Sequence, residues 1–286
     1  LFNLTEPAMT KRKIEIMDTT LRDGEQTSGV SFTSSEKLTI AQLLLEELKV
    51  DRIEIASTRV SEGEYQAVKN ITAWAAGKGY LNRIEVLSFV DGGLSIDWML
   101  ETGAKVQNLL TKGSLNHLVH QLKKTPEEHF AGIAQVVALA KEKGIETNVY
   151  LEDWSNGMRN SPDYVIQFLD FLQTQPVKRI LLPDTLGVLT PRETFTYIDQ
   201  IRKRYPKSHF DFHGHNDYDL SVSNVMEALY AGANGIHLTV NGMGERAGNA
   251  PLASVVAVIN DFMPELEIGV NEQALYKVSR LVETFS

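Results

Sequence analysis

The chain has 286 residues, 43% of them hydrophobic and 23% charged, with no cysteine and a formal net charge of -9. The lack of cysteine excludes disulfides, thiolate zinc sites and a cysteine nucleophile, and the acidic balance argues against a general nucleic-acid or anionic-membrane surface. No apolar run approaches the roughly 20 residues needed to span a bilayer and no signal peptide is visible, so the chain reads as cytoplasmic, without a membrane partner.

Residues 1–13 lack periodicity and read as an N-terminal arm or as added residues, ahead of one catalytic domain over 14–286. From there short β-rich runs recur at 14–18, 52–57, 83–90, 106–111, 146–152, 179–185, 209–215 and 235–241. Amphipathic segments lie between them at 35–49, 62–78, 126–143, 162–173, 191–205, 220–231 and 251–262. Thr125-Pro126, Ser161-Pro162 and Thr190-Pro191 each set a capping residue before a proline, which is helix-start chemistry. Gly79, Gly103, Gly144 and Gly232 stand where helices should stop. Strict strand–helix alternation implies a parallel sheet, and eight such units predict an α/β fold of the (β/α)8 TIM-barrel type. A doubly wound open sheet is the alternative, but no Gly-x-Gly-x-x-Gly follows the first run. The segment 270–286 predicts one more helix, and the chain stops there as an excised catalytic domain would.

The runs also alternate in polarity. Ile53 and Ile55 alternate with Glu54 and Ala56, Val149 and Leu151 with Asn148, Tyr150 and Glu152, and Ile236, Leu238 and Val240 with His237, Thr239 and Asn241. One face should meet the helices and the other the barrel interior. Buried polar groups are costly unless paired, so a polar interior points to a site in the barrel mouth. In the seventh run Phe210 and Phe212 face one way, and Asp211, His213 and His215 the other. Two imidazoles on one face suit a shared metal ion; the alternative is one buried and one solvated histidine.

Reactive groups of such barrels sit at the C-terminal ends of the strands. Those ends carry Asp18-Thr19-Thr20-Leu21-Arg22-Asp23-Gly24-Glu25-Gln26, Tyr150-Leu151-Glu152-Asp153, Pro183-Asp184-Thr185, His213-Gly214-His215-Asn216-Asp217 and Gly242-Met243-Gly244-Glu245-Arg246-Ala247-Gly248-Asn249. The first of these motifs, the histidine motif and the glycine-rich one together resemble the acyl-CoA-dependent Claisen-condensing metalloenzymes. That family holds the 2-isopropylmalate, citramalate and homocitrate synthases, with 3-hydroxy-3-methylglutaryl-CoA lyase as a relative. The resemblance runs from about residue 14 to the C-terminus.

The resemblance implies a divalent metal (Mn²⁺, Mg²⁺ or Zn²⁺) held by Asp23, His213 and His215, with Asn249 as a fourth ligand. A carboxylate, two imidazoles and an amide oxygen are a mixed donor set that suits those ions. The implied partners are acetyl-CoA and a 2-oxo acid, and the implied assembly is a homodimer. Arg22 would stabilise a developing oxyanion; its alternative is a salt bridge to Glu54. Thr185 would hydrogen-bond the oxo-acid carboxylate, and Glu152 matches the family's catalytic glutamate. Leu87, Leu110 and Tyr150 would form an apolar pocket for the acid's side chain, which disfavours a dicarboxylic substrate and leaves pyruvate and 2-oxoisovalerate open. Residues 108–114 and 150–157 are most similar to the citramalate synthase branch. His237 points inward and reads first as a satisfied core histidine. The family's helical subdomain and its regulatory domain would lie beyond residue 286, so the isolated chain is expected to bind metal and oxo acid yet condense poorly. The alternatives are a lyase of the hydroxymethylglutaryl-CoA type, disfavoured because its glycine loop carries a cysteine, and a barrel that only senses a 2-oxo acid.

Overall fold

Eight parallel strands close on one another in chain order. In the computed structural model, which describes residues 11–286, the strands are β1 (Arg12–Lys13), β2 (Glu15–Asp18), β3 (Arg52–Ser57), β4 (Ile84–Phe89), β5 (Val106–Lys112), β6 (Glu146–Glu152), β7 (Arg179–Asp184), β8 (Phe210–Gly214), β9 (Gly235–Leu238) and β10 (Leu266–Glu267). β2 to β9 form the closed barrel, and β9 returns to β2 with Glu15 opposite Gly235. The TIM barrel expected from the alternation is therefore the fold. Residues 1–10 of the expected arm lie outside the described residues. The remainder of that arm is not loose: Arg12 pairs with Leu266 and Lys13 with Glu267 in a separate two-stranded sheet.

The helices form where their caps allow. Thr125 and Thr190 each accept a hydrogen bond from the backbone of a glutamate three residues on, whose side chain bonds back, with proline in the first turn. Thr33 does the same for the helix Ser34–Gln42. Each such cap contributes about 1 kcal/mol. Ser161 departs from the pattern: it makes no cap bond and instead ties Leu115 N–H to Gly157 O. Besides the short helical turns Leu115–His117 and Leu118–Leu122, two helices lie outside the periodic segments, Leu94–Thr102 and Trp154–Asn160. Both begin at a residue in the left-handed region, Gly93 and Asp153, with no capping side chain, so neither carries a start signal. The final helix, Leu275–Phe285, follows a short turn at Glu272–Ala274 and buries Val278 and Val282.

The polarity alternation resolves into an outside and an inside. Ile53, Ile55, Val149, Leu151, Phe210, Phe212, Ile236 and Leu238 are buried against the helices. Each such side chain stabilises the fold by about 1.5–3 kcal/mol. The other face carries buried Glu54, Asn108, Asn148, Asp211 and His237. These are paired: Asn148 donates to Asn108 at 2.9 Å and Asn108 to Glu54 at 2.7 Å. Asn241, expected to face inward, does not. It sits at φ 57° in a tight turn beyond β9 and donates to Ser279 O at 3.1 Å.

Candidate active site

The loop after β2 delivers Arg22 and Asp23. Thr19 O accepts from the backbone N–H of Arg22, Asp23 and Gly24 at 3.2, 2.9 and 3.0 Å. That convergence folds the chain back over the barrel mouth. Asp18 braces the turn through Thr20, whose hydroxyl in turn accepts from Val240 N–H at 2.8 Å. Buried Lys37 bonds Leu21 O at 3.1 Å and ion-pairs with Glu25 at 2.6 Å and with Glu64.

His213 is the penultimate residue of β8, and His215 follows the strand in a bridge to Asn249. The glycine-rich loop brings Asn249 there. A Cβ on Gly248, at φ 85°, would lie 2.0 Å from Gly242 O, and one on Gly244 would lie 2.2 Å from Asn249 Nδ2. Arg246 clamps the loop by bonding Asp217 at 2.8 Å and Thr185 O at 2.8 Å. Two of the motifs singled out in the sequence are thus in direct contact.

Asp23, His213 and His215 converge. One donor atom from each lies within 4.8 Å of the others, a constellation that could hold a metal ion. Asp23 Oδ2 is 3.4 Å from His213 Nε2 and 3.8 Å from His215 Nε2. Burial pulls His215 down to about 4 and His213 below its ordinary value, which leaves neutral imidazoles. Burial works against the Asp23 carboxylate, but Arg22 and the histidines outweigh it and hold the group well below the usual range. An anionic oxygen and neutral imidazoles are the protonation states that ligation requires. The Nδ1 atoms of both histidines and Asn249 Oδ1 are buried without a partner. The unpartnered Asn249 amide oxygen, on the side chain that bonds Asp23, and the two Nε2 atoms within 3.8 Å of the same carboxylate fit a divalent cation better than they fit a finished hydrogen-bond network. Asn249 donates to Asp23 Oδ1 at 3.1 Å and to Met243 O at 3.1 Å.

A cavity of about 160 Å³ opens at this end of the barrel, lined by Arg22, Asp23, Leu87, Leu110, Tyr150, Glu152, Thr185, His213 and His215, with Gln26, Pro183 and Glu245. Asn249 is the sequence-predicted residue outside this lining, set behind Asp23. Leu87, Tyr150 and Leu181 form an apolar cluster with Leu110 against it. Thr185 Oγ1 accepts from Asp153 N–H at 2.8 Å, so its hydroxyl hydrogen remains to donate. Glu152 is half-buried and ion-paired with Lys112. Arg22 takes both of its expected positions: it lines the cavity, and it bonds Glu54 at 2.6 Å and Asp23 at 2.7 Å.

His237, which reads from the sequence as an inward-pointing core histidine, is wholly buried with both ring nitrogens bonded. Its ring bonds the Tyr150 hydroxyl at 2.9 Å and Asp211 at 3.1 Å. Strand parity gives its inward direction; the sequence has no signal for its partners. Glu245 also reaches the cavity, from within a motif that was read for Asn249 alone.

A family model described as HMGL-like matches residues 13–282. A probable 2-isopropylmalate synthase of Ignicoccus hospitalis is 36% identical over 95% of this chain and 65% of its own. An (R)-citramalate synthase of Methanocaldococcus jannaschii is 37% identical over 94% of this chain and 52% of its own. The chain thus spans about half to two thirds of the length of these relatives. Among solved structures, an HMG-CoA lyase from Brucella melitensis superposes with a TM-score of 0.78 at 18% identity, covering 96% of this chain and 98% of that one. At that identity the likeness concerns the fold alone.

Proposed function

The chain belongs to the HMGL-like family, with relatives named 2-isopropylmalate and citramalate synthase, and from that premise we propose that it is the barrel of an acyltransferase condensing acetyl-CoA with a small apolar 2-oxo acid. The observation that carries this reading is the convergence of Asp23, His213 and His215 on the cavity that Arg22, Glu152 and an apolar wall also line. In the reaction the acetyl methyl group loses a proton, its carbon bonds C2 of the oxo acid, and water cleaves the thioester to release the thiol. The product is a 2-alkylmalate, in the chemistry of branched-chain amino-acid biosynthesis.

Asp23, His213 and His215 would hold the divalent ion, with Asn249 able to add its unpartnered amide oxygen. A bound ion would supply Lewis acidity toward the ketone oxygen. Thr185 offers its free hydroxyl hydrogen to the acid's carboxylate. Arg22, fixed by Glu54, presents a permanent cation where negative charge develops. Leu87, Leu110 and the Tyr150 ring exclude water around the side chain. Glu152 is the carboxylate at the open end, placed to orient a base or to move a proton. A cytoplasmic homodimer belongs to the same reading, and light scattering in solution checks the dimer.

Thiol release from acetyl-CoA tests the reading, measured with a panel of 2-oxo acids and divalent metal on the full-length protein. Release with pyruvate or 2-oxoisovalerate supports it. Silence across the panel overturns it, and cleavage of hydroxymethylglutaryl-CoA would establish the lyase instead.

A further inference from the structure

One ammonium sits behind the loop that carries Arg22 and Asp23, and it holds a chain neighbour of each partner in the Arg22–Glu54 pair. Lys37 lies near the start of the helix Ser34–Gln42 and is 1% exposed. Its Nζ is 3.1 Å from Leu21 O and 3.4 Å from Ile55 O. Leu21 precedes Arg22 on the loop, and Ile55 follows Glu54 on β3. The same ammonium pairs with Glu25 at 2.6 Å and with Glu64, in the first turn of the helix Glu62–Lys78. Glu25 Oε1 in turn accepts from Phe32 N–H at 2.8 Å. One cation thus ties the loop at Leu21 and Glu25 and, through Glu25, at Phe32.

Lys37 is the one buried lysine among the described residues. Taking an ammonium out of water costs free energy that its partners only offset, and an apolar side chain of similar volume is often as stable or more so. What the apolar side chain lacks is direction. An ammonium carries three hydrogens and no acceptor, and here oxygens of the loop, of β3 and of a second helix share them. Displacing it means moving Leu21 relative to Ile55, and hence Arg22 relative to Glu54. The N–H groups that converge on Thr19 O belong to Arg22, Asp23 and Gly24, directly after Leu21. Those bonds give the turn its shape. The Arg22 and Glu54 side chains join loop and strand inside the barrel, and Lys37 joins their backbones from the helix side.

We propose that Lys37 is a positioning residue, whose ammonium locks the turn after β2 against β3 so that Asp23 stands beside the two histidines and Arg22 faces the cavity. The part of this inference that concerns the metal rests on the function proposed above. Lys37 does not line the cavity. It acts through Leu21 O, one residue from Arg22 and two from Asp23. Without the ammonium, the bonds from Arg22 to Glu54 and Asp23 still hold three side chains together. They leave the turn's backbone free to shift against β8, which carries His213. The loss is therefore local to the turn, and the strand ladder of the barrel remains.

Two measurements on the full chain test this. The first is amide hydrogen exchange, without metal, in the wild type and in Lys37→Met, which keeps most of the side-chain length and loses the charge. The N–H groups of Arg22, Asp23 and Gly24 are expected to exchange about tenfold faster or more in the variant, measured relative to those of β5 and β6, which report global opening. Equal acceleration in turn and strands, or none in the turn, overturns the proposal, because a residue that only adds stability moves both together. The second is calorimetric titration of Mn²⁺. Its affinity is expected to fall about tenfold or more in Lys37→Met. It is expected to recover in Lys37→Cys once that thiol is alkylated with 2-bromoethylamine in urea and the protein refolded, which restores an ammonium at the length of lysine. The chain has no other thiol to react. An unchanged Mn²⁺ affinity in Lys37→Met, or no recovery in the refolded aminoethylated protein, overturns the role toward the metal. If the wild type binds no Mn²⁺, the metal reading fails, and the exchange measurement alone decides the positioning. If Lys37→Met does not fold, Glu25→Gln, which weakens the ammonium's tie to the loop, carries the same expectation for the three turn amides.

Discussion

Arg22 and Glu54 meet in the barrel interior, with Arg22 Nε 2.6 Å from Glu54 Oε2. Glu54 is fully buried and also accepts from Thr19 at 2.9 Å and Asn108 at 2.7 Å. Desolvation opposes the Arg22 cation, but Glu54 and Asp23 outweigh it, and the group is held above its ordinary value. The sequence offered a site role or a salt bridge as alternatives for Arg22. The structure shows the salt bridge, and it holds the guanidinium at the cavity, where the proposed site role would need it.

Glu54→Gln tests that dependence. It leaves the buried Arg22 charge with Asp23 alone, and breaking one side of a buried pair costs about 3–5 kcal/mol. Urea unfolding is expected to show a loss of that order. A Mn²⁺ titration of the folded variant is expected to change less than condensation activity does, because Glu54 touches Arg22 and not the histidines. An unaltered urea midpoint would show that Glu54 does not support Arg22.

Leu110 should set the size of the accepted acid. It packs on the Leu87–Tyr150–Leu181 cluster beside the cavity. Leu110→Ala opens room for added methyl groups, each worth about 1–3 kcal/mol in a fitted pocket. The ratio of kcat/KM for 2-oxoisovalerate over pyruvate is expected to rise about tenfold or more. A ratio that stays fixed would place the side-chain pocket elsewhere.

His129 gives the fold an acid-sensitive point away from the site. Its ring is buried and accepts from Lys112 N–H at 3.2 Å, while its Nδ1 has no partner. Burial lowers it from an ordinary 6.5 to about 4. Between those values the unfolded chain binds more protons than the folded one, so this residue's contribution falls as pH drops from 6.5 toward 4. Above 6.5 both states are neutral and it contributes no pH dependence. At pH 5 the expected loss is about 2 kcal/mol. His129→Gln keeps an acceptor for Lys112 and does not titrate, so the wild-type-minus-variant stability should shift by that amount between pH 7 and pH 5. A constant difference would mean that His129 is protonated in the fold.

Much of the fold could be read directly from the residues because two periods alternate cleanly. Strand runs such as 52–57 and 146–152 coincide with β3 and β6, and threonine–proline starts mark the helices at Pro126 and Pro191. Leu94–Thr102 was missed because it starts from Gly93, which carries no capping side chain. Asn241 was placed inward by extending strand parity past Leu238, where the backbone turns over. At the site, strand-end motifs bring seven of the expected lining residues into view, since such ends share one rim, and the inward strand faces add Leu87 and Leu110. Partners across the barrel, such as Arg52 with Asp211 or Tyr150 with His237, depend on closure and register. No local pattern encodes those distances.

Asp23, His213 and His215 are proposed to hold a divalent ion at the cavity where the oxo acid would bind. Calorimetric titration of pyruvate and of 2-oxoisovalerate into the chain, with Mn²⁺ and after chelation, tests it most directly when repeated on His213→Ala. The expected result is binding of at least one acid by the metal-loaded wild type, and none after chelation or in the variant. Equal binding with and without metal, or an undiminished Mn²⁺ affinity in His213→Ala, would contradict it.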